Sequence, residues 1–201
     1  MTRPSLVAAV ILFALTIGMS VYVSELRRRE AARHHARPST SLERIAPPRA
    51  AGQVEKVTVF VAYDDPGELR ARSISVPLAS VRQQRAEALL EALIGIYTAK
   101  DSPHPLSAGA DVRDVFLVDP GLAVIDLNSA LADGQVSGVL AEGLTIASMI
   151  QTLSSNLPGL SRVKFLVDGK ERDTLAGHAD LAGFYEVSEV ARLAAQLSAH
   201  Q

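Results

Sequence analysis

The feature that most constrains this chain is an uncharged stretch of 20 residues, Ser5–Ser24, lying between Arg3 and Glu25. At about 1.5 Å per residue, a helix of this length spans the ~30 Å hydrocarbon core of a bilayer, so we predict an N-terminal transmembrane anchor at residues 1–24. A buried core helix and a cleavable signal peptide are the alternatives. The run exceeds the roughly 7 to 15 apolar residues of an ordinary signal peptide, and no A-x-A site follows it promptly. An uncleaved anchor is therefore favoured.

The charges beside this segment bear on its orientation. More arginines follow the apolar run than precede it, and the positive-inside rule taken alone places the bulk of the chain in the cytoplasm. A short positive N-terminal tail can also remain inside, which leaves the orientation open on the residues alone. Residues 25–53 are predicted to be a basic juxtamembrane segment and a Pro-containing linker, in which His34 and His35 contact headgroups rather than a metal. The arginines after the run are Arg27, Arg28, Arg29, Arg33 and Arg37.

Charge divides the chain into two unlike parts. Residues 1–53 carry eight basic and three acidic side chains, whereas the remainder carries 12 basic and 19 acidic ones. Binding to nucleic acid needs a concentrated basic face, so an acidic C-terminal part argues against a nucleic-acid partner. The chain has no cysteine, which excludes disulfides, thiolate metal sites and an N-terminal lipid-attachment Cys.

Hydrophobic periodicity predicts one folded domain at residues 54–186, followed by a C-terminal helix or tail at 187–201. The expected fold class is α+β, with two main helices packed on one small mixed sheet in the order ββαββαβ. A capping box of Ser80 and Gln83 is predicted to begin the first helix. Predicted strands cover 54–63, 71–76, 112–118, 122–127 and 162–167, with a further short strand near 171–174; predicted helices run from Ser80 to Tyr97, from 139 to 153 and onward from Ser188.

No recognisable catalytic signature is present, since the chain lacks a P-loop, a dinucleotide fingerprint, an H-E-x-x-H helix and a nucleophile elbow. Three carboxylate pairs come nearest to a site, although each also suits a turn or a strand end. The five histidines lie outside the predicted core elements. We therefore predict a protein that is not an enzyme, with no catalytic, cofactor-binding or metal residues, no cofactor, and unknown ligand-binding residues. The pairs are Asp64 with Asp65, Asp111 with Asp114, and Asp126 with Asp168.

Several runs of sequence together resemble the GerMN domain, which is named for a spore-germination and sporulation protein. They are VTVFVAY, ALLEALIG, AVIDLN, IASMIQTL and above all PGLSRVKFLVDGK, in the expected order between about Val54 and Glu186. One position departs from the family, which commonly continues its first helix into Gly-Pro, whereas here Gly95 is followed by Ile96.

This resemblance implies an extracytoplasmic domain of the bacterial cell envelope, anchored by one membrane helix or a lipid and similar to folds that pack side by side in rings. It opposes the positive-inside argument, and we expect a single-pass protein of the bacterial inner or plasma membrane with its domain outside the cytoplasm. The expected function is association with an envelope protein or with itself. The alternative is a small-molecule or glycan sensor whose pocket lies between the loops 64–70 and 102–111.

Overall fold

The structure, a computed structural model, describes residues 53–118 and 120–199. The predicted membrane anchor and nearly all of the predicted linker lie outside these residues. The described residues belong to a unit, Ala50–Gln201, that is compact by itself. No helix within the described ranges combines the length and the hydropathy needed to cross a bilayer.

The fold is mixed α+β, as predicted. The described residues form six strands and four helices. Their order follows the predicted one, except that a short helix is added after the fourth strand and the sixth strand lies at 185–186 instead of near 171–174. The elements are β1 (Val54–Tyr63), β2 (Glu68–Pro77), α1 (Arg82–Tyr97), β3 (Val112–Val118), β4 (Leu122–Leu127), α2 (Ser129–Gly134), α3 (Val139–Asn156), β5 (Arg162–Val167), β6 (Tyr185–Glu186) and α4 (Val187–Ala199).

The prediction of one continuous sheet is wrong, because the strands form two sheets. β1 pairs only with β2, antiparallel, and the second sheet has the order β3-β4-β5-β6. The other edge of β1 is occupied by side chains of α3: Thr152 Oγ1 accepts from the Phe60 N–H at 2.9 Å, and Asn156 Nδ2 donates to the Thr58 carbonyl at 2.7 Å. Helix side chains thus satisfy backbone groups that a third strand would otherwise pair with.

The predicted hairpin of β3 and β4 is confirmed as an antiparallel pair. Gly121, in the turn, has a φ of 75°, and a Cβ there would lie 2.5 Å from the Gly159 carbonyl oxygen, so only glycine fits. β4 and β5 are parallel, which requires the long connection through α2 and α3. The second sheet is therefore mixed.

The start of α1 differs from the prediction. The helix begins at Arg82 with Val81 at the N-cap, and no side chain caps it. The proposed capping box is wrong because Ser80 precedes the N-cap position, while the Gln83 side chain donates to Glu87 at 3.1 Å instead. The predicted apolar stripe of α1 is nevertheless buried, and it consists of Ala86, Leu89, Leu90, Leu93, Ile94 and Tyr97.

Other helix and strand boundaries also differ from the predicted ones. α3 continues three residues beyond Leu153, and the short α2, which was not predicted, begins where the Asn128 side chain accepts from the Leu131 N–H at 2.9 Å. No strand forms at 171–174; Thr174 makes one isolated bridge, and the sixth strand is β6 on the edge of β5. β2 is longer than predicted, and the last helix begins one residue early, at Val187.

Candidate functional site

The structure places the carboxylates of the three predicted pairs in turns, in a loop and on strands. Asp126 and Asp168 lie near each other, bridged by Arg113, whose Nη1 is 3.2 Å from Asp168 and whose Nε is 3.9 Å from Asp126. Asp126 also accepts from the Gly169 N–H at 2.7 Å, which closes the turn after β5. Asp111 bonds the backbone N–H of the next residue. Within the described residues, no group of three or more His, Asp or Glu side chains is placed to hold a metal ion.

The most unusual chemistry is at one end of the molecule, where a histidine is buried. His104 is 3% exposed, its Nδ1 lies 2.6 Å from Asp64 Oδ1 and its Nε2 lies 2.7 Å from Thr145 Oγ1. The Asp64 N–H also donates to the Pro103 carbonyl at 3.1 Å. His104 therefore joins the turn after β1 and the loop after α1 to the second turn of α3. Sequence reasoning placed this histidine on a loop and missed its burial.

The hydrogen-bonded chain continues beyond His104. Thr145 Oγ1 lies 3.0 Å from the Gln135 side-chain oxygen, and Gln135 itself is buried. The ring of Tyr97 meets that of His104 edge to face at 5.0 Å. Burial raises the pKa of Tyr97 to about 12, against the opposing effect of hydrogen bonds with Ser148 and the Ala62 N–H. The aromatic and polar groups around His104 thus form one packed network.

A second buried ionisable side chain, Glu142, lies one turn earlier on α3. Its side chain is 0% exposed and accepts from the backbone N–H groups of Gly138, Ala176, His178 and Ala179 at 2.8 to 3.1 Å. The Nδ1 atom of His178 lies 2.9 Å from it as well. Burial alone would raise the pKa of Glu142, but the hydrogen bonds from Ala179, His178 and Gly138 outweigh it and lower the pKa to about 2. The carboxylate holds the loop before β6 against α3.

These two networks define a surface that we call the loop pole, comprising segments 64–67, 103–106, 135–145 and 176–179. Both networks are anchored on α3. His104 bonds Thr145 of this helix, and Glu142 of the same helix accepts from the loop at 176–179. A buried polar or ionisable group without hydrogen bonds would be costly, and both of these side chains are hydrogen-bonded. The loops of this pole are therefore fixed relative to one another, unlike ordinary surface connections.

Three exposed aliphatic side chains project from the loop pole. Val136, Val139 and Leu140 are 65%, 75% and 49% exposed, and we call them the apolar ridge. The turn after β1 lies against the ridge, since a Cβ on Gly67 would come 2.9 Å from Leu140 Cδ2. A cluster of exposed apolar residues on a rigid support is typical of an interaction surface rather than of a catalytic centre.

The two loops predicted to form a sensor pocket do meet, and the contact between them is made by the buried His104 and the exposed Asp64. A depression of about 490 Å³ lies elsewhere on the described surface and is largely open to solvent. Of the two predicted pocket loops, 102–111 contributes to this depression and 64–70 does not. The sensor function stays a prediction. The depression is lined by Ser107, Gly109, Ser129, Ala130, Asp133 and Gly134.

The fold has relatives among known domains. The family named Germane, described as sporulation and spore germination, matches residues 58–173, which is more than half of the chain. This match confirms the resemblance to the GerMN domain on which the sequence analysis relied. No protein with a curated description matches the chain.

The solved structures that are similar to the chain include two of one sporulation protein. The tandem GerMN domains of the sporulation protein GerM from Bacillus subtilis give a TM-score of 0.52 at 16% identity, over 68% of this chain and 48% of that one. The chain thus spans about half the length of that tandem structure. The first GerMN domain of the same protein gives a TM-score of 0.43 at 14% identity, over 64% of this chain and 94% of that one. The tandem match shows a shared fold.

Proposed function

Because this chain belongs to the Germane family of sporulation and spore germination domains, we propose that it is a bacterial cell-envelope protein whose folded part acts outside the cytoplasm by binding another protein. The family description and the similarity to a sporulation protein, GerM, support an envelope setting. The proposed anchor is the uncharged run Ser5–Ser24, and residues 25–53 are the proposed tether. The proposed folded domain then covers residues 54–186, and 187–201 form the C-terminal helix or tail.

The apolar ridge is the observation that carries the association function. Its three aliphatic side chains are exposed on a surface that two buried ionisable groups hold in place. A preorganised surface loses little conformational entropy on binding, which favours its use as a contact with a protein partner. The cost of burying His104 and Glu142 is then explained by the geometry that they impose.

The ridge lies beside the C-terminal end of β1. The tether enters at Val54, and β1 then runs for ten residues to Tyr63, a length of about 30 Å at ~3.4 Å per residue. The turn that follows β1 touches Leu140 of the ridge. The ridge therefore lies at the end of β1 opposite to Val54, the residue that follows the proposed tether.

The proposed location is tested with reporters fused after Gln201 of the full chain. A reporter active only outside the cytoplasm is expected to give signal, and one active only inside is expected to give none, because the domain follows a single uncleaved anchor. The reverse pattern would mean that the arginines after the apolar run determine orientation. The envelope function would then fall even though the family assignment stands.

The proposed contact is tested by crosslinking in living cells. A photoreactive side chain at Val136 is expected to capture a discrete partner, whereas one at Val54, a valine equally exposed at 65% but at the other end of β1, is not. Replacing Val136, Val139 and Leu140 together by serine should weaken the association about 100-fold, roughly 2.7 kcal/mol, since apolar anchors dominate such contacts. Equal capture at both valines, or unchanged association of the serine variant, would refute the role of the ridge.

A further inference from the structure

The outer face of the four-stranded sheet exposes apolar side chains to solvent. Its inner face packs in the core, through residues such as Val115, Ile125 and Phe165, which are fully buried. The opposite face carries Phe116 and Val118 on β3, which are 44% and 47% exposed. Register places Val124 beside Phe116, Leu122 beside Val118, and Leu166 on the next strand, and all three are half-buried.

A sheet with one solvated face ordinarily alternates apolar residues inward with polar residues outward. Here four outward positions of β3 and β4 are apolar, namely Phe116, Val118, Leu122 and Val124. On β5 the outward residues are Arg162, Lys164 and Leu166, and the buried Lys164 donates to the carbonyls of Leu181 and Ala182. Phe184 extends the apolar surface past β5, where its ring lies 5.4 Å from the Arg162 guanidinium carbon and 5.8 Å from Lys164 Nζ. A contiguous exposed apolar surface of this kind marks a contact with another molecule.

The charges on this face have a diagonal arrangement. Asp114 lies at one corner, opposite Asp126 in the register of β3 and β4. Arg162 lies at the other corner, in the row of Val118 and Leu122. Neither Asp114 nor Arg162 forms an ion pair with any residue that the structure describes. The apolar band between these two corners runs from Val118 to Leu166.

We infer that a second copy of this chain covers the outer face, using the same face of its own sheet. A twofold axis along the band from Val118 to Leu166 exchanges the two charged corners, so that Asp114 of each copy faces Arg162 of the other. The strands then cross steeply, as in orthogonal sheet packing. Such an interface is self-complementary, as a twofold contact must be, and it gives Asp114 and Arg162 an ion-pair partner while covering the apolar band.

The size of the face sets the strength of this dimer. Strands about 4.8 Å apart, rising about 3.4 Å per residue, give the face an extent of roughly 20 Å on each side. The area of the face is then about 400 Å², smaller than the ~800 Å² per partner of a standard stable interface, so the dimer is a weak one. Tethering two copies in one membrane raises their effective concentration and favours pairing. The dimer uses a different surface from the apolar ridge, and only its concentration by tethering rests on the proposed function.

A charge swap tests the dimer directly. Sedimentation equilibrium of residues 50–201, which form a compact unit by themselves, is expected to show a monomer–dimer equilibrium. Asp114→Arg and Arg162→Asp, each alone, should weaken dimerisation about tenfold or more by placing like charges together, and the double variant should restore it. Glu91→Arg, the same change of charge on the exposed side of α1, should leave it unaltered.

Two further variants test whether the apolar band itself holds the dimer together. Phe116→Ser is expected to weaken the dimer while its thermal unfolding stays close to that of the unsubstituted domain, because the side chain is exposed. The triple serine variant of the apolar ridge should dimerise normally, since that surface takes no part. A domain that remains monomeric up to the millimolar range, or a double swap that fails to recover dimerisation, would overturn the inference.

Discussion

Replacing Glu142 by alanine is expected to destabilise the folded domain by about 3 to 5 kcal/mol, the cost of breaking a buried, hydrogen-bonded charge site. The carboxylate is fully buried and accepts from four backbone N–H groups. Alanine leaves those donors without a partner and releases the loop around Ala176 and His178 from α3. Chemical denaturation of residues 50–201 measures the loss as a lower transition midpoint at an unchanged slope.

Glu189 provides a matched control for Glu142. It is also a glutamate in the first turn of a helix, at the start of α4, but its side chain is exposed. Glu189→Ala should change the free energy of unfolding by less than about 0.5 kcal/mol, as surface substitutions usually do. Equal effects of the two substitutions would show that Glu142 contributes only through the helix dipole and not as the anchor of the loop.

The acid stability of the domain follows from the same residue. The pKa of Glu142 falls from its ordinary value of 4.5 to about 2 in the folded domain, because the hydrogen bonds outweigh the opposing effect of burial. Since the folded pKa is the lower one, the stabilisation is complete above about pH 4.5 and is lost as the pH falls toward 2. It amounts to roughly 3 kcal/mol at 1.36 kcal/mol per unit. Glu142→Gln should remove this part of the acid dependence, which urea unfolding at a series of pH values would reveal.

Replacing His104 by alanine is expected to cost about 2 to 4 kcal/mol, through both a cavity and unpaired polar groups. The imidazole is buried, and without it Thr145 loses a hydrogen-bond partner and Asp64 no longer holds the loop after α1. That loop should open locally. Amide exchange would report it as lost protection of the Asp64 and Leu106 N–H groups, which donate to the carbonyls of Pro103 and Tyr97.

His178→Ala is the comparison for His104. The His178 ring is about half exposed, and its backbone N–H to Glu142 survives the substitution. Its cost should stay near 1 kcal/mol, the usual net value of one hydrogen bond. An effect of His104→Ala no larger than this, with unchanged exchange at Asp64, would mean that the loop after α1 is held by other contacts.

Much of the secondary structure was predictable because it depends on neighbours along the chain. Alternation identified β1, the hairpin of β3 and β4, and β5, and the apolar stripe of α1 had the spacing of a helix face that becomes buried. The runs of sequence that resemble the GerMN domain also identified the family, which the match over residues 58–173 confirms. In both cases the information is local, or is a sum of local segments in order.

The candidate site was not predictable in the same way. His104 and Glu142 lie in stretches whose local pattern signals only a loop and a helix start, and their partners are Thr145 and the backbone around Ala176 and His178, 34 to 41 residues away. A buried polar group is defined by donors and acceptors that other parts of the chain bring to it. Sequence periodicity carries no record of such pairings.

The division of the strands into two sheets shows the same limit on a larger scale. By itself the sequence determined which segments extend, which coil into helices and which family the domain belongs to, because local propensity and apolar spacing specify those properties. The tertiary structure alone decided that the free edge of β1 would be closed by Thr152 and Asn156, 92 and 98 residues distant from the groups they bond. The partner of a strand edge is determined by how the helices and sheets pack together, since the N–H and C=O groups of a strand can bond any well-placed partner.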